Sequence, residues 1–168
     1  MTKQPTSTTQ DDDELRPFAS PPCSLHEFEE QSLPVTEILE LLNALIEGER
    51  AGAKGIIAMG RNIESSEINA LLRAVAGDEA RFCSMLSQHV ERLGGTASRA
   101  TGSFAEKLAK RETFVDKLTL LDRGQSVVVR MLNEAIPRIS DAQLQRDLIE
   151  MRDVHIVNID RCNALLPD

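Results

Sequence analysis

Four polar residues sit where apolar ones are expected. Glu49, Glu79, Gln125 and His155 each fall near the middle of an apolar helix face. The face around Glu79 runs Leu72, Val75, Glu79, Phe82, Leu86, His89, Leu93, advancing by the alternating steps of four and three that mark a packed helix seam. Seventy-six residues separate Glu49 from Gln125, and the same 76 separate Glu79 from His155. That offset also aligns Leu42 with Leu118, Leu45 with Leu121, Ile56 with Leu132, Ile68 with Leu144 and Leu72 with Leu148. The chain therefore reads as two copies of one helical hairpin. Pairing the copies places two carboxylates, an amide and an imidazole in one buried layer. Each group left unpaired there costs about 1–3 kcal/mol or more. They must bind one another, water, or a metal ion.

Four long helices are needed to position that layer. Helix 1 is expected over about 36–60 with Thr36 as its N-cap, and helix 2 over about 66–93, stopping at Gly94-Gly95. Helix 3 is expected over about 112–136, ending at Pro137, and helix 4 from the capping box Ser140-Asp-Ala-Gln143 to Leu165. The connection between helices 2 and 3 carries its own capping box, Ser103-Phe-Ala-Glu106, so a short helix is expected there. No segment reads as a strand. Short loops between helices 1 and 2 and between 3 and 4 predict antiparallel hairpins, and the long middle connection predicts a crossover. Residues 1–33, rich in Thr, Ser, Pro, Gln and Asp, read as a flexible N-terminal leader, leaving 34–168 as the folded domain.

Composition narrows the function classes. The 168-residue chain carries a net charge of −8 and no basic stripe, which argues against nucleic acid and anionic membranes as partners. Its three cysteines, Cys23, Cys83 and Cys162, lie far apart with no CxxC, so neither a zinc knuckle nor a disulfide framework is signalled. No signal peptide or long uncharged apolar run appears, and a cytoplasmic location is expected. Trp and Tyr are absent, which removes a tyrosyl radical and an indole stacking platform. His89 reads as a core histidine near a helix end, and His26 falls in the leader. Gly48, Gly52 and Gly55 read as positions of close helix contact.

The stretches LLNALIEGERAGAKG (41–55) and DEARFCSML (78–86) resemble the first and second helices of rubrerythrin-type domains of the ferritin-like superfamily. The resemblance spans about 34–166. It implies an all-α, ferritin-like four-helix bundle with a metal site in its core. The superfamily's di-iron members use one Glu from each of two helices and Glu-x-x-His from each of the other two. On that pattern Glu49 and Gln125 stand at the lone Glu positions, Glu79 and Phe82 at the first Glu-x-x-His, and His155 and Asn158 at the second. Only Glu49 and Glu79 keep the expected residue. Two carboxylates and one imidazole are too few for the usual metal pair, which needs bridging carboxylates. Three histidines are too few for haemerythrin-like chemistry.

Two readings follow. In the first, Glu49, Glu79 and His155, completed by Gln125, hold a single Fe or Mn ion with a redox role. Asn158 is a further candidate, and a one-step helix rotation would bring in Asp122. Without Tyr or Trp, electrons would come from a redox partner protein or a small reductant. In the second, the layer is a metal-free polar network that sets helix register. The protein is then a non-catalytic scaffold that self-associates, as a dimer by preference, or binds another protein. Leu41, Ile57, Val127 and Val129 are left outside the seam for that purpose.

Overall fold

A computed structural model describes residues 32–167. The expected leader lies outside the described residues, apart from its last two positions. Among the described residues the secondary structure is helical throughout. Four long helices, α1 (Val35–Gly60), α2 (Ser66–Arg92), α4 (Phe114–Ala135) and α5 (Ala142–Asn163), are joined by short loops and by a crossover that holds the short helix α3 (Phe104–Ala109). None is long and apolar enough to cross a membrane.

The apolar seams merge into two separate cores. One gathers Leu42, Leu45 and Ile46 of α1 with Phe82, Leu86, Leu132, Leu148 and Met151. The other gathers Ile56 and Met59 of α1 with Leu72, Val75, Leu118, Leu121 and Cys162. Helix direction follows from which core each end enters. Helices α1 and α5 run from the first core to the second, whereas α2 and α4 run the opposite way. Among the four long helices, the contacts of α1 with α2, α4 with α5, α2 with α5 and α1 with α4 are therefore all antiparallel.

Helix ends follow local chemistry, with three departures from expectation. Helix α1 starts one residue early, because Pro34 (φ −60°, ψ 151°) takes the N-cap place and leaves Thr36 inside the first turn. At α5 the cap is Asp141 rather than Ser140; its Oδ1 accepts from the amides of Gln143 and Leu144. Ser103 precedes α3 but makes no side-chain cap bond. By contrast, α2 stops as its sequence demands. Gly94 adopts φ 81°, and the amides of Gly94 and Gly95 return to Glu91 O and Val90 O in a Schellman motif.

The crossover lies along α1. Asn43 Oδ1 accepts from the Ser98 amide at 2.7 Å, Glu47 Oε1 accepts from Ser98 Oγ at 2.6 Å, and Arg50 donates to the carbonyls of Ser98 and Ala100. The Gly102 amide donates to Glu47 O at 3.1 Å. This clasp carries the chain back toward the far end of α1, where α3 packs against Gly55.

A second polar cluster ties the C-terminal end of α2 to the start of α5. Arg92 bridges His89 Nδ1 at 2.9 Å and Asp141 Oδ2 at 2.8 Å. Because Arg92 donates to Nδ1, His89 Nε2 carries a proton and donates to Asp147 Oδ2 at 2.7 Å. The Arg92 hydrogen bond and the Leu144 amide hold the Asp141 carboxyl down to about 2. Asp141→Ala is expected to lower stability by about 1 kcal/mol, the usual worth of an N-cap. In the parent protein this contribution is present above the ordinary Asp range near 3.8 and fades as pH falls toward about 2. Urea unfolding of both proteins at neutral pH and near pH 2 tests this; an unchanged difference between them at the lower pH would be the wrong result.

Candidate polar centre between the two cores

Glu49, Glu79, Gln125 and His155 lie buried where the two apolar cores meet, each at most 4% exposed. Each long helix supplies one of them, because each apolar face carries one polar residue at its middle. They form two pairs. His155 Nε2 lies 3.2 Å from Glu49 Oε1, and Gln125 Nε2 donates to Glu79 Oε1 at 3.2 Å. Two acceptor atoms, Glu49 Oε2 and Gln125 Oε1, are buried without a hydrogen-bond partner.

The His155 ring is oriented from behind. Its Nδ1 lies 2.9 Å from the Met151 carbonyl, which can only accept, so Nδ1 carries a proton. Nε2 is left facing Glu49, and the close approach there requires one proton shared by the pair. Phe82 packs against the imidazole with ring centroids 5.7 Å apart, and the Arg81 guanidinium covers the Phe82 ring at 4.3 Å. Glu79 lies directly over α1, where a Cβ on Gly52 would overlap its Oε2. Gly52 is thus required by the carboxylate rather than by backbone conformation.

Burial dominates the electrostatics. It pushes the Glu79 carboxyl up to about 8, and the negative charge of Glu49 adds to the effect. Burial also raises Glu49, against the pull of His155. For His155, burial opposes the charged form, but the hydrogen bond and charge of Glu49 outweigh it and raise the imidazole. At neutral pH the layer therefore holds a neutral Glu79 and one proton between Glu49 and His155. Buried Cys162 is pushed up to about 11 by desolvation, so it stays a thiol and a packing residue.

The other candidates point elsewhere. Asn158 is buried but donates to Asp78 Oδ2 at 3.1 Å. Asp122 is half-buried and accepts from Asn163 Nδ2 at 3.0 Å, so α4 presents Gln125 to the layer and not Asp122. Phe82 puts an apolar ring against His155. A paired metal site does not fit these residues. One divalent ion fits their charges: two carboxylates and a neutral imidazole balance it, and two buried oxygens of the layer lack a hydrogen-bond partner. As the side chains stand, no group of three or more His, Cys, Asp or Glu among the described residues is arranged to hold a metal ion. The reason is visible in the pairing, with Glu79 turned to Gln125 and Glu49 to His155.

A cavity of about 90 Å³ lies over the layer. Beside the four polar residues it is bordered by Gly48, Gly52, Gly124 and Phe104. Sequence reasoning did not find this opening. The 76-residue offset that relates Glu49 to Gln125 also relates Gly48 to Gly124, and that was the available signal.

Glu79, Glu49 and His155 all bind their protons more tightly in the folded chain than in the unfolded one. Stability of the metal-free protein is therefore expected to fall as pH rises. The Glu79 share is complete below its ordinary value near 4.5 and lost by about pH 8; the His155 share begins to go above about 6.5. The slope of one such group reaches about 1.4 kcal/mol per pH unit. Glu79→Gln should flatten the decline in denaturation midpoint across this range, and an unchanged slope would show that Glu79 is already ionised.

A search of curated proteins returned no match. Residues 36–164, spanning all five helices but for the first residue of α1, match the profile described as Domain of unknown function (DUF6306), and the chain belongs to that family.

Proposed function

We propose that the chain is a cytoplasmic, ferritin-like four-helix bundle of two repeated hairpins that holds one divalent ion, Fe or Mn, in its polar layer and serves a redox role. The observation that carries this reading is the pair of buried, unpartnered acceptors, Glu49 Oε2 and Gln125 Oε1, on two residues that also line a cavity between the helices. Glu49, Glu79 and His155 would hold the ion, with Gln125 as a neutral fourth donor or as the partner that orients Glu79. A bound Fe or Mn ion would supply one-electron redox chemistry. The protein's own part is preparation. Met151 O keeps the His155 Nε2 atom directed into the layer. Glu79 and His155 each release a proton when a cation takes their place, so the layer remains neutral. With no Tyr or Trp in the chain, electrons come from a partner protein or a small reductant.

The existing pairing favours a second reading. Glu49 with His155 and Glu79 with Gln125 form a metal-free network that fixes helix register, in a scaffold that self-associates as a dimer or binds another protein. Ile57 and Val127 are exposed and available for such contact, whereas Leu41 is half-buried against the first core and Val129 is only half-exposed.

Metal content separates the two. Fe(II), Mn(II) and Zn(II) are offered separately to the untagged protein, which is then desalted and analysed by mass spectrometry. The metal reading expects about one ion per chain, falling to background in Glu79→Gln and His155→Ala. Gly52→Ala should also lose the ion while keeping its helix content, because the added methyl displaces the flexible end of Glu79 rather than backbone. No ion retained under any condition decides for the network. Light scattering then tests the scaffold, and a monodisperse monomer would count against self-association.

A further inference from the structure

The polar layer is closed to solvent. Glu49, Glu79, Gln125 and His155 are all buried, and the unpartnered atoms Glu49 Oε2 and Gln125 Oε1 are out of solvent reach. Whatever reaches those atoms, water included, must wait for part of the wall to move. The cavity beside the layer shows which part. Its border comes from the four long helices with one exception, Phe104 of α3.

The two kinds of wall are held very differently. Each long helix enters both apolar cores, so moving one breaks both cores and the pairing of the layer as well. Helix α3 has six residues, too few to hold a helix alone in water, and Ser103 gives it no side-chain cap. Leu108 alone among its residues is buried. Its inward side rests on glycines. Leu108 Cδ2 and Ala105 Cα lie 3.2 and 3.3 Å from where a Cβ on Gly55 would sit, and Phe104 Cε2 lies 2.9 Å from the same point on Gly124. No side chain of α3 makes a hydrogen bond or ion pair with another described residue. The hydrogen-bonded clasp of the crossover ends just before α3, at the Gly102 amide on Glu47 O, and α4 starts just after it at the Thr113 cap. Local opening draws on elements with few buried apolar contacts, and α3 is the element of that kind at the cavity.

We propose that α3 is a gate over the polar layer. It swings off α1 and α4 between the Gly102 bond and the Thr113 cap, and lifts Phe104 from Gly124. Water and small ions then reach the layer while the four long helices stay packed. This goes beyond the metal reading, since it concerns access to the layer and holds for the metal-free chain.

The test is hydrogen–deuterium exchange on the full-length, chelator-treated, ¹⁵N-labelled protein, followed by NMR. The readout is the protection of the Gln125 side-chain amide, which donates to Glu79 from inside the layer. Gln125 and the backbone amides of α3 are expected to share one protection factor, at least about tenfold below that of amides at the centres of the long helices. Both should depend only weakly on urea, because the opening exposes little surface. Gly55→Ala pushes on the α3 backbone and Gly124→Ala on the Phe104 ring, and each also favours its own long helix. Each should speed exchange of Gln125 and of α3 together by about tenfold, in the range of overpacking costs. Gly77→Ala adds the same methyl at an exposed helical glycine with open space, away from α3, and should change neither. Gln125 exchanging only with the long-helix amides, and with their urea dependence, overturns the gate. Fast exchange of α3 beside a Gln125 that stays protected overturns it too, because α3 would then open without uncovering the layer. Equal acceleration by Gly77→Ala would assign the effect to helix propensity and overturn it likewise. No metal is present at any stage, so the metal-content experiment decides the metal reading separately.

Discussion

Two carboxylates and an imidazole buried between apolar cores impose the main constraint on this molecule. An isolated buried charge is too costly to keep, so such groups neutralise, pair or bind a cation. Glu49 and His155 solve the problem by sharing a proton across 3.2 Å. Glu79 solves it by staying protonated and accepting from Gln125. Each solution works only if all four long helices keep their register. Sliding α1 or α4 by a turn in its C-terminal direction would strand a polar group in hydrocarbon and put Leu45 or Leu121 in the layer. The apolar seams supply most of the attraction between helices, but they tolerate such a slip far better than the layer does.

The crossover is the second element of that design. It is held along α1 by hydrogen bonds to Asn43 and Glu47 and from Arg50, and then delivers Phe104 and Leu108 against the glycines of α1 and α4. Long connections without internal structure are usually the loosest parts of a domain. Here the connection is held along the helix beside it and contributes a wall of the central cavity. The glycines are the counterpart of this. Gly52 yields its side-chain space to Glu79, Gly124 yields to Phe104, and Gly48 yields to nothing.

Much of this was legible in the sequence, and the reasons differ by feature. The layer could be read because helical periodicity assigns each residue to a face, and because one 76-residue offset aligns both the polar and the apolar positions. Gly94-Gly95 announced the end of α2 because a left-handed cap all but requires glycine. Caps at the other ends were harder. Thr36, Ser140 and Ser103 are all good capping residues, yet the caps fell to Pro34 and Asp141, and Ser103 makes no cap bond. Candidate caps one or two positions apart compete, and the winner depends on where tertiary packing starts the first turn. The Asp141 carboxylate gains from Arg92 of another helix, a partner that no local pattern names.

The amino-acid sequence by itself determined that the chain is helical, and that two carboxylates, an amide and an imidazole must share the interior. Those are consequences of residue type and spacing, which act within a helix or between equivalent helices. Only the tertiary structure decided which polar group pairs with which, that Asn158 and Asp122 bond away from the layer, and that a cavity remains beside it. Such choices turn on side-chain directions and on differences of a few ångströms between helices, and periodicity carries no information at that scale.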